Sequence, residues 1–150
     1  MAEIASLSKA QLFAGLSPDE LERIAALGHQ RVYNKGDTIL REGEPGRELF
    51  VVSRGTVHIA LETAETPTPL INLGVGQIFG EMAMVDRGVR SATVTALSDE
   101  TTLQVIPHDA FFELCEKDNH IGFVVMRNLA AEMSLRIRYY NIAGATGAGG

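Results

Sequence analysis

The stretch from Gly76 to Arg90 brings together the glycines Gly76 and Gly80, a short helix-forming run, the carboxylate Glu81 and the arginine Arg90. These residue types in this order suit a small anion that also bears hydroxyls. Backbone N–H groups freed by glycine and by the first turn of a short helix point outward and favour negative charge. Arg90 adds a permanently charged, planar fork matched to two phosphate oxygens. Glu81 only accepts hydrogen bonds when ionised, so it cannot serve the phosphate. It suits a sugar hydroxyl, and a ribose 2′-OH lies at the right sort of distance from a sugar-linked phosphate. Taken alone, Arg90 also fits a surface ion pair with Asp86 or Glu81, and Glu81 also fits the acidic first turn of a helix.

The elements that must position these residues read as helix, many short strands, then helix. Residues 1–28 form an N-terminal helical segment, in which Ser17 is an N-cap, Pro18 the first helical residue and Glu20 the capping-box partner. Leu21, Ile24 and Leu27 supply its apolar face, and Gly28 suits its stop. Residues 29–106 change to short strands punctuated by Lys35-Gly36-Asp37, Glu44-Pro45-Gly46 and Arg54-Gly55. Val57, Ile59 and Leu61 alternate with polar or small neighbours, Thr63 to Thr68 reads as a loop, and Leu70–Leu73, Thr93–Ala96 and Thr102–Ile106 are later strands. So many short strands indicate a sandwich or roll. The helical period returns over 107–142, with one helix from His108 to Lys117 and a second from Asn119 to about Asn141. The second exceeds ~30 Å at the usual rise, more than a small roll covers. Phe123, Met126, Ala130, Met133, Ile137 and Tyr140 form a coiled-coil-type seam along it. Residues 143–150 read as a flexible Gly/Ala tail.

Composition bounds the rest. A chain of 150 residues fits one domain, and 45% hydrophobic with 21% charged residues is a globular balance. A net charge of −6 lacks the basic face that nucleic acid requires. The single cysteine, Cys115, cannot form an intramolecular disulfide and reads as a core thiol in a reducing compartment. No signal peptide or membrane-spanning run is visible, so the expected location is cytoplasmic. His29, His58, His108 and His120 are scattered without metal-ligand spacing. No Ser/His/Asp or Cys/His set is arranged for nucleophilic chemistry, so the chain reads as neither a metal enzyme nor any other enzyme, and no cofactor is expected.

Phe79-Gly80-Glu81-Met82-Ala83, answered by Arg90-Ser91-Ala92-Thr93-Val94, resembles the phosphate-binding cassette of cyclic-nucleotide-binding domains. Such domains occur in catabolite-activator-type transcription factors, cyclic-nucleotide-gated channels and kinase regulatory subunits. Leu12-Phe13, Gly15-Leu16-Ser17, Lys35-Gly36-Asp37, Glu42–Gly46, Leu49–Val52 and Arg54–Val57 follow in the family's order. The resemblance covers roughly residues 10–140. It implies a mostly β fold with flanking helices: a double-stranded, jelly-roll-like β-roll carrying the cassette at 79–94, an N-terminal helix, a short cassette helix and two C-terminal helices that act as hinge and lid.

The implied ligand is cAMP, favoured over cGMP. In the implied pose Arg90, Ser91, Ala83 and Met82 hold the phosphate, and Glu81 and Gly80 serve the ribose. Val52 and Val57 line the base pocket, with Arg136, Arg138 and Tyr140 on the last helix placed to cap the base. Ser91 leaves the purine open, because a hydroxyl there also serves a guanine amino group. The last helix has three candidate roles: packing on its own roll, pairing with a second copy, or closing over the purine. Ligand binding would move it, and a protein effector would read that movement. The chain has one copy of the domain, no DNA-binding or kinase-inhibitory segment and no membrane helix. It reads as a stand-alone regulator or part of a larger receptor, with Met1 and the short lead-in favouring the former. The rivals are a non-binding scaffold, expected to lack Arg90 or Glu81, and a cassette for a larger nucleotide, expected to carry extra basic residues.

Overall fold

The run Leu49-Phe50-Val51-Val52 is apolar without interruption because the strand that holds it, β3 (Glu48–Arg54), is buried on both faces. Side chains alternate across a strand. Leu49 and Val51 accordingly join one buried cluster with the helices, whereas Phe50 and Val52 join another inside the roll. The computed structural model describes residues 2–61, 68–81, 90 and 92–148, apart from the side chains of 61, 68–70 and 136–148.

Two antiparallel four-stranded sheets form a β-roll. One contains β1 (His29–Tyr33), β8 (Thr101–Pro107), β3 and β6 (Ile78–Phe79) in that order. The other contains β2 (Thr38–Leu40), β7 (Thr93–Ala96), β4 (Val57–Leu61) and β5 (Thr68–Leu73). Register places His29 opposite Val105, Glu48 opposite Pro107, Phe50 opposite Phe79 and Ile59 opposite Val94. Phe50, Val52, Val57, Leu73, Phe79, Val94, Leu103 and Val105 fill the space between the sheets.

Helices cover the outer face of the first sheet. They are α1 (Ile4–Leu7), α2 (Pro18–Ala25), α3 (His108–Lys117) and α4 (Asn119–Ala148), joined by a 3₁₀ turn at Gln11–Phe13. Both halves of the capping box at Ser17 and Glu20 form, as their types and spacing require. Helix α2 is tied to the α3–α4 junction by Arg23 with Asp118 and by Glu20 with His120. Asn128 of α4 donates to the carbonyls of Leu12 and Ala14, each at 2.9 Å. Cys115 packs beside this outer layer, and burial pushes its thiol up to about 11.

Several details differ from the sequence reading. Helix α2 ends at Ala25, before Gly28, and what demands glycine at 28 is close approach: a Cβ there would lie 2.7 Å from the Val105 carbonyl. Thr68, assigned to a loop, opens β5, while 62–67 lie outside the described residues. Helix α4 continues through Ala148, past Asn141 and into the Gly/Ala tail expected to be flexible. Ala143, Ala145 and Ala148 favour adding turns to a helix already nucleated. Finally, the stripe of α4 that meets the roll is Ile121, Val124, Val125 and Leu129, with Met126 and Met133 at its margin. Phe123 and Ala130, placed in the same seam as those methionines, are exposed. A heptad pattern fixes which residues share a stripe, but not which side of it faces the roll.

Candidate functional site

Gly80 follows β6 directly, and its φ of +87° is one that glycine adopts without strain. Phe79 holds the approach by stacking on Phe50 with ring centroids 4.8 Å apart. A Cβ on Gly80 would sit 2.6 Å from the Glu48 carbonyl oxygen and 3.1 Å from Nη1 of Arg90. Glycine is thus required here by the protein's own backbone as well as by any ligand. Glu81, the next residue, has helical backbone and is only 3% exposed.

Arg90 is 5% exposed, which removes the reading of a surface ion pair. Its backbone is pinned to the β2–β3 connection: its N–H donates to the Glu44 carbonyl at 2.7 Å, and its carbonyl accepts from Gly43 at 2.9 Å. The guanidinium donates through Nη2 to the Glu48 carbonyl at 3.0 Å and, in a longer contact of 3.4 Å, through Nη1 to the Gly80 carbonyl. The Phe50 ring lies beneath it at 5.8 Å. Burial pushes the Arg90 pKa down, while the carboxylates of Glu48 and Glu81 oppose that shift. The fork is therefore a preorganised, partly desolvated cation beside a buried carboxylate, a combination that attracts an anion carrying a hydroxyl donor.

His108, the first residue of α3, closes the rear of this cluster. Its Nε2 lies 3.1 Å from the Gly80 carbonyl, and its backbone N–H donates to the Arg47 carbonyl at 2.9 Å. Burial, followed by the charge of Arg90, pushes its pKa below the ordinary histidine range.

The structure thus brings together Gly80, Glu81 and Arg90 among the predicted site residues. Val52 and Val57 are fully buried in the apolar interior of the roll. Met82, Ala83 and Ser91 lie outside the described residues, as do the side chains of Arg136, Arg138 and Tyr140, whose backbone belongs to α4. Glu48, Phe50 and His108 were not among the predicted site residues. The only sequence sign of His108 is its place after Pro107 at a helix start.

The family model described as "Cyclic nucleotide-binding domain" matches residues 30–118. This chain belongs to that family. Cyclic-nucleotide-binding domains of this kind are regulatory modules whose ligands include cAMP and cGMP. The chain is 32% identical over 128 residues to the Cyclic AMP receptor protein of Thermus thermophilus, covering 85% of this chain and 57% of that protein. It is 33% identical over 107 residues to human cGMP-dependent protein kinase 2, covering 70% of this chain and 14% of the kinase. The crystal structure of the Thermus thermophilus Catabolite Activator Protein superposes with a TM-score of 0.79 at 30% identity, covering 89% of this chain and 61% of that one. The cyclic-nucleotide-binding domain thus spans less than two thirds of each of these relatives. Among the described residues no group of three His, Cys, Asp or Glu side chains is placed to hold a metal, and no helix is long and apolar enough to cross a membrane.

Proposed function

We propose that this domain is a cytoplasmic, non-catalytic cyclic-nucleotide receptor that takes cAMP in preference to cGMP and converts binding into movement of α4. The observation that carries this reading is the buried Arg90 fork, braced by the Gly80 and Glu48 carbonyls next to buried Glu81. The cyclic phosphate sits on Arg90, with Ser91, Ala83 and Met82 completing the cradle. The ribose 2′-OH donates to Glu81, with Gly80 beside the sugar. Val52 and Val57 form the apolar wall toward the base, and Arg136, Arg138 or Tyr140 caps it from α4. Selectivity for cAMP is supported by the likeness to the Cyclic AMP receptor protein, which covers more of this chain than the likeness to the cGMP-dependent kinase does.

Transmission is supported by connectivity. His108, hydrogen-bonded to Gly80, is the first residue of α3, and α3 leads into α4 through Asp118. A cassette drawn toward its ligand pulls on the start of this helix pair, and differential binding to two positions of α4 shifts their populations. The output passes to a protein effector or to a second copy of the chain. Phe123, 64% exposed on α4, supports pairing through that helix.

The test is calorimetric titration of ligand-stripped protein with cAMP and cGMP, repeated on Arg90→Leu. One-to-one binding is expected, tighter for cAMP. Charge-assisted hydrogen bonds contribute ~1.5–3 kcal/mol each, so the variant should bind roughly ten- to several-hundred-fold more weakly. Absence of heat and of thermal shift with both nucleotides would overturn the receptor reading.

A further inference from the structure

The Gly80 carbonyl is approached by two cationic or potentially cationic side chains, Arg90 Nη1 at 3.4 Å and His108 Nε2 at 3.1 Å. A carbonyl only accepts, so His108 carries its hydrogen on Nε2, and a second proton has to enter at Nδ1. The charged groups that act on the imidazole come from three directions. Arg90 faces it from the end of the cassette, Glu48 from β3, and Asp109 from its own helix. Glu81 acts on the same cluster through Arg90.

We propose that His108 is a positioning residue for the nucleotide phosphate: it braces the carbonyl that steadies Arg90, and it takes up a proton when an anion settles on that arginine. The proposal rests on the reading of Arg90 as the phosphate-binding residue. In the free protein, burial and then the charge of Arg90 push the His108 pKa below the ordinary histidine range. A cyclic phosphodiester on Arg90 offsets the positive charge that lowers the His108 pKa, so the proton affinity of His108 rises. By linkage, a ligand that favours the protonated form is bound more tightly by it. The free pKa is depressed and the bound pKa is higher, so binding takes up a proton between them, and affinity grows as pH falls through that window. Folding carries the opposite trend. The share of stability linked to neutral His108 is intact above the unfolded value of about 6.5 and is lost as pH falls through the depressed folded value.

The experiment measures cAMP affinity from pH 8 to 5.5 (chosen to bracket ~6.5) by calorimetry in buffers of different ionisation enthalpy, for the wild type and His108→Gln. The imidazole of His108 is titrated by NMR in wild type and Arg90→Leu without nucleotide. One unit of pKa corresponds to tenfold in affinity, so the wild type should gain about three- to tenfold toward low pH, with proton uptake. His108→Gln keeps an N–H donor toward Gly80 and should bind with a flat pH profile. Arg90→Leu should raise the His108 midpoint. Binding without proton uptake or pH dependence, or an unmoved midpoint, would overturn the role of His108 while leaving the receptor reading intact. No binding at any pH, even with the midpoint shifted, would overturn the phosphate reading and this proposal with it.

Discussion

The layer beneath the helices and the layer between the sheets share strand β3, yet they treat buried polarity differently. On the helix side the fully buried Gln104 is neutral and satisfied. It accepts from the Glu3 N–H at 2.8 Å and donates to Ser53 at 2.9 Å and to Gln30 at 3.1 Å. On the inner side the layer ends at two buried charges, Glu81 and Arg90, and burial works against the arginine. A cation kept in so costly a place is relieved when a ligand of opposite sign arrives. The helix side is held by apolar packing and a satisfied amide, and the inner side ends in the buried pair that the proposed function assigns to the ligand.

Substitutions on the two faces of β3 sharpen this contrast most. Phe50→Ala removes the ring that lies under Arg90 and stacks on Phe79, and it should cost about 3–5 kcal/mol of stability together with most nucleotide affinity. Leu49→Ala, one residue earlier, should cost about 2–5 kcal/mol in chemical denaturation while the folded fraction binds cAMP as the wild type does. Equal losses of affinity in both variants would break the division between layers. A smaller effect is expected for Gly80→Ala. Its positive φ and the 2.6 Å approach to the Glu48 carbonyl should cost roughly 1–3 kcal/mol and weaken binding by displacing Arg90. Smallest is Ser17→Ala. Loss of the α2 cap should lower stability by about 1 kcal/mol, read as a lower melting temperature, with calorimetric affinity unchanged.

Where chemistry is local, the sequence was legible. The capping box at Ser17 needs only two residues three apart, strand β7 spans the β-branched run Thr93-Val94-Thr95 and ends one residue later at Ala96, and Gly80, Glu81 and Arg90 lie within one short stretch. What escaped depends on register. Glu48 becomes a brace for Arg90 because β3 pairs Glu48 with Pro107, and the same pairing sets His108 beside the cassette. Sixty residues of chain separate Glu48 from His108, and no local pattern marks their meeting. The exposed ring of Phe123 was missed for a related reason: periodicity gives a stripe, and only the packed roll selects the adjacent one through Ile121 and Val125.

Among the described residues, strand β1 finds its only strand partner in β8, with Tyr33 opposite Thr101 and His29 opposite Val105. During synthesis, at ~5–20 residues per second, the first strand therefore waits roughly 4 to 14 s for the last to be made. Through that interval an unpaired strand edge is open to other chains. The sheet closes only when β8 has emerged, and His108 of α3 follows it directly, so the first sheet cannot close before the chain has reached the start of its C-terminal helix pair.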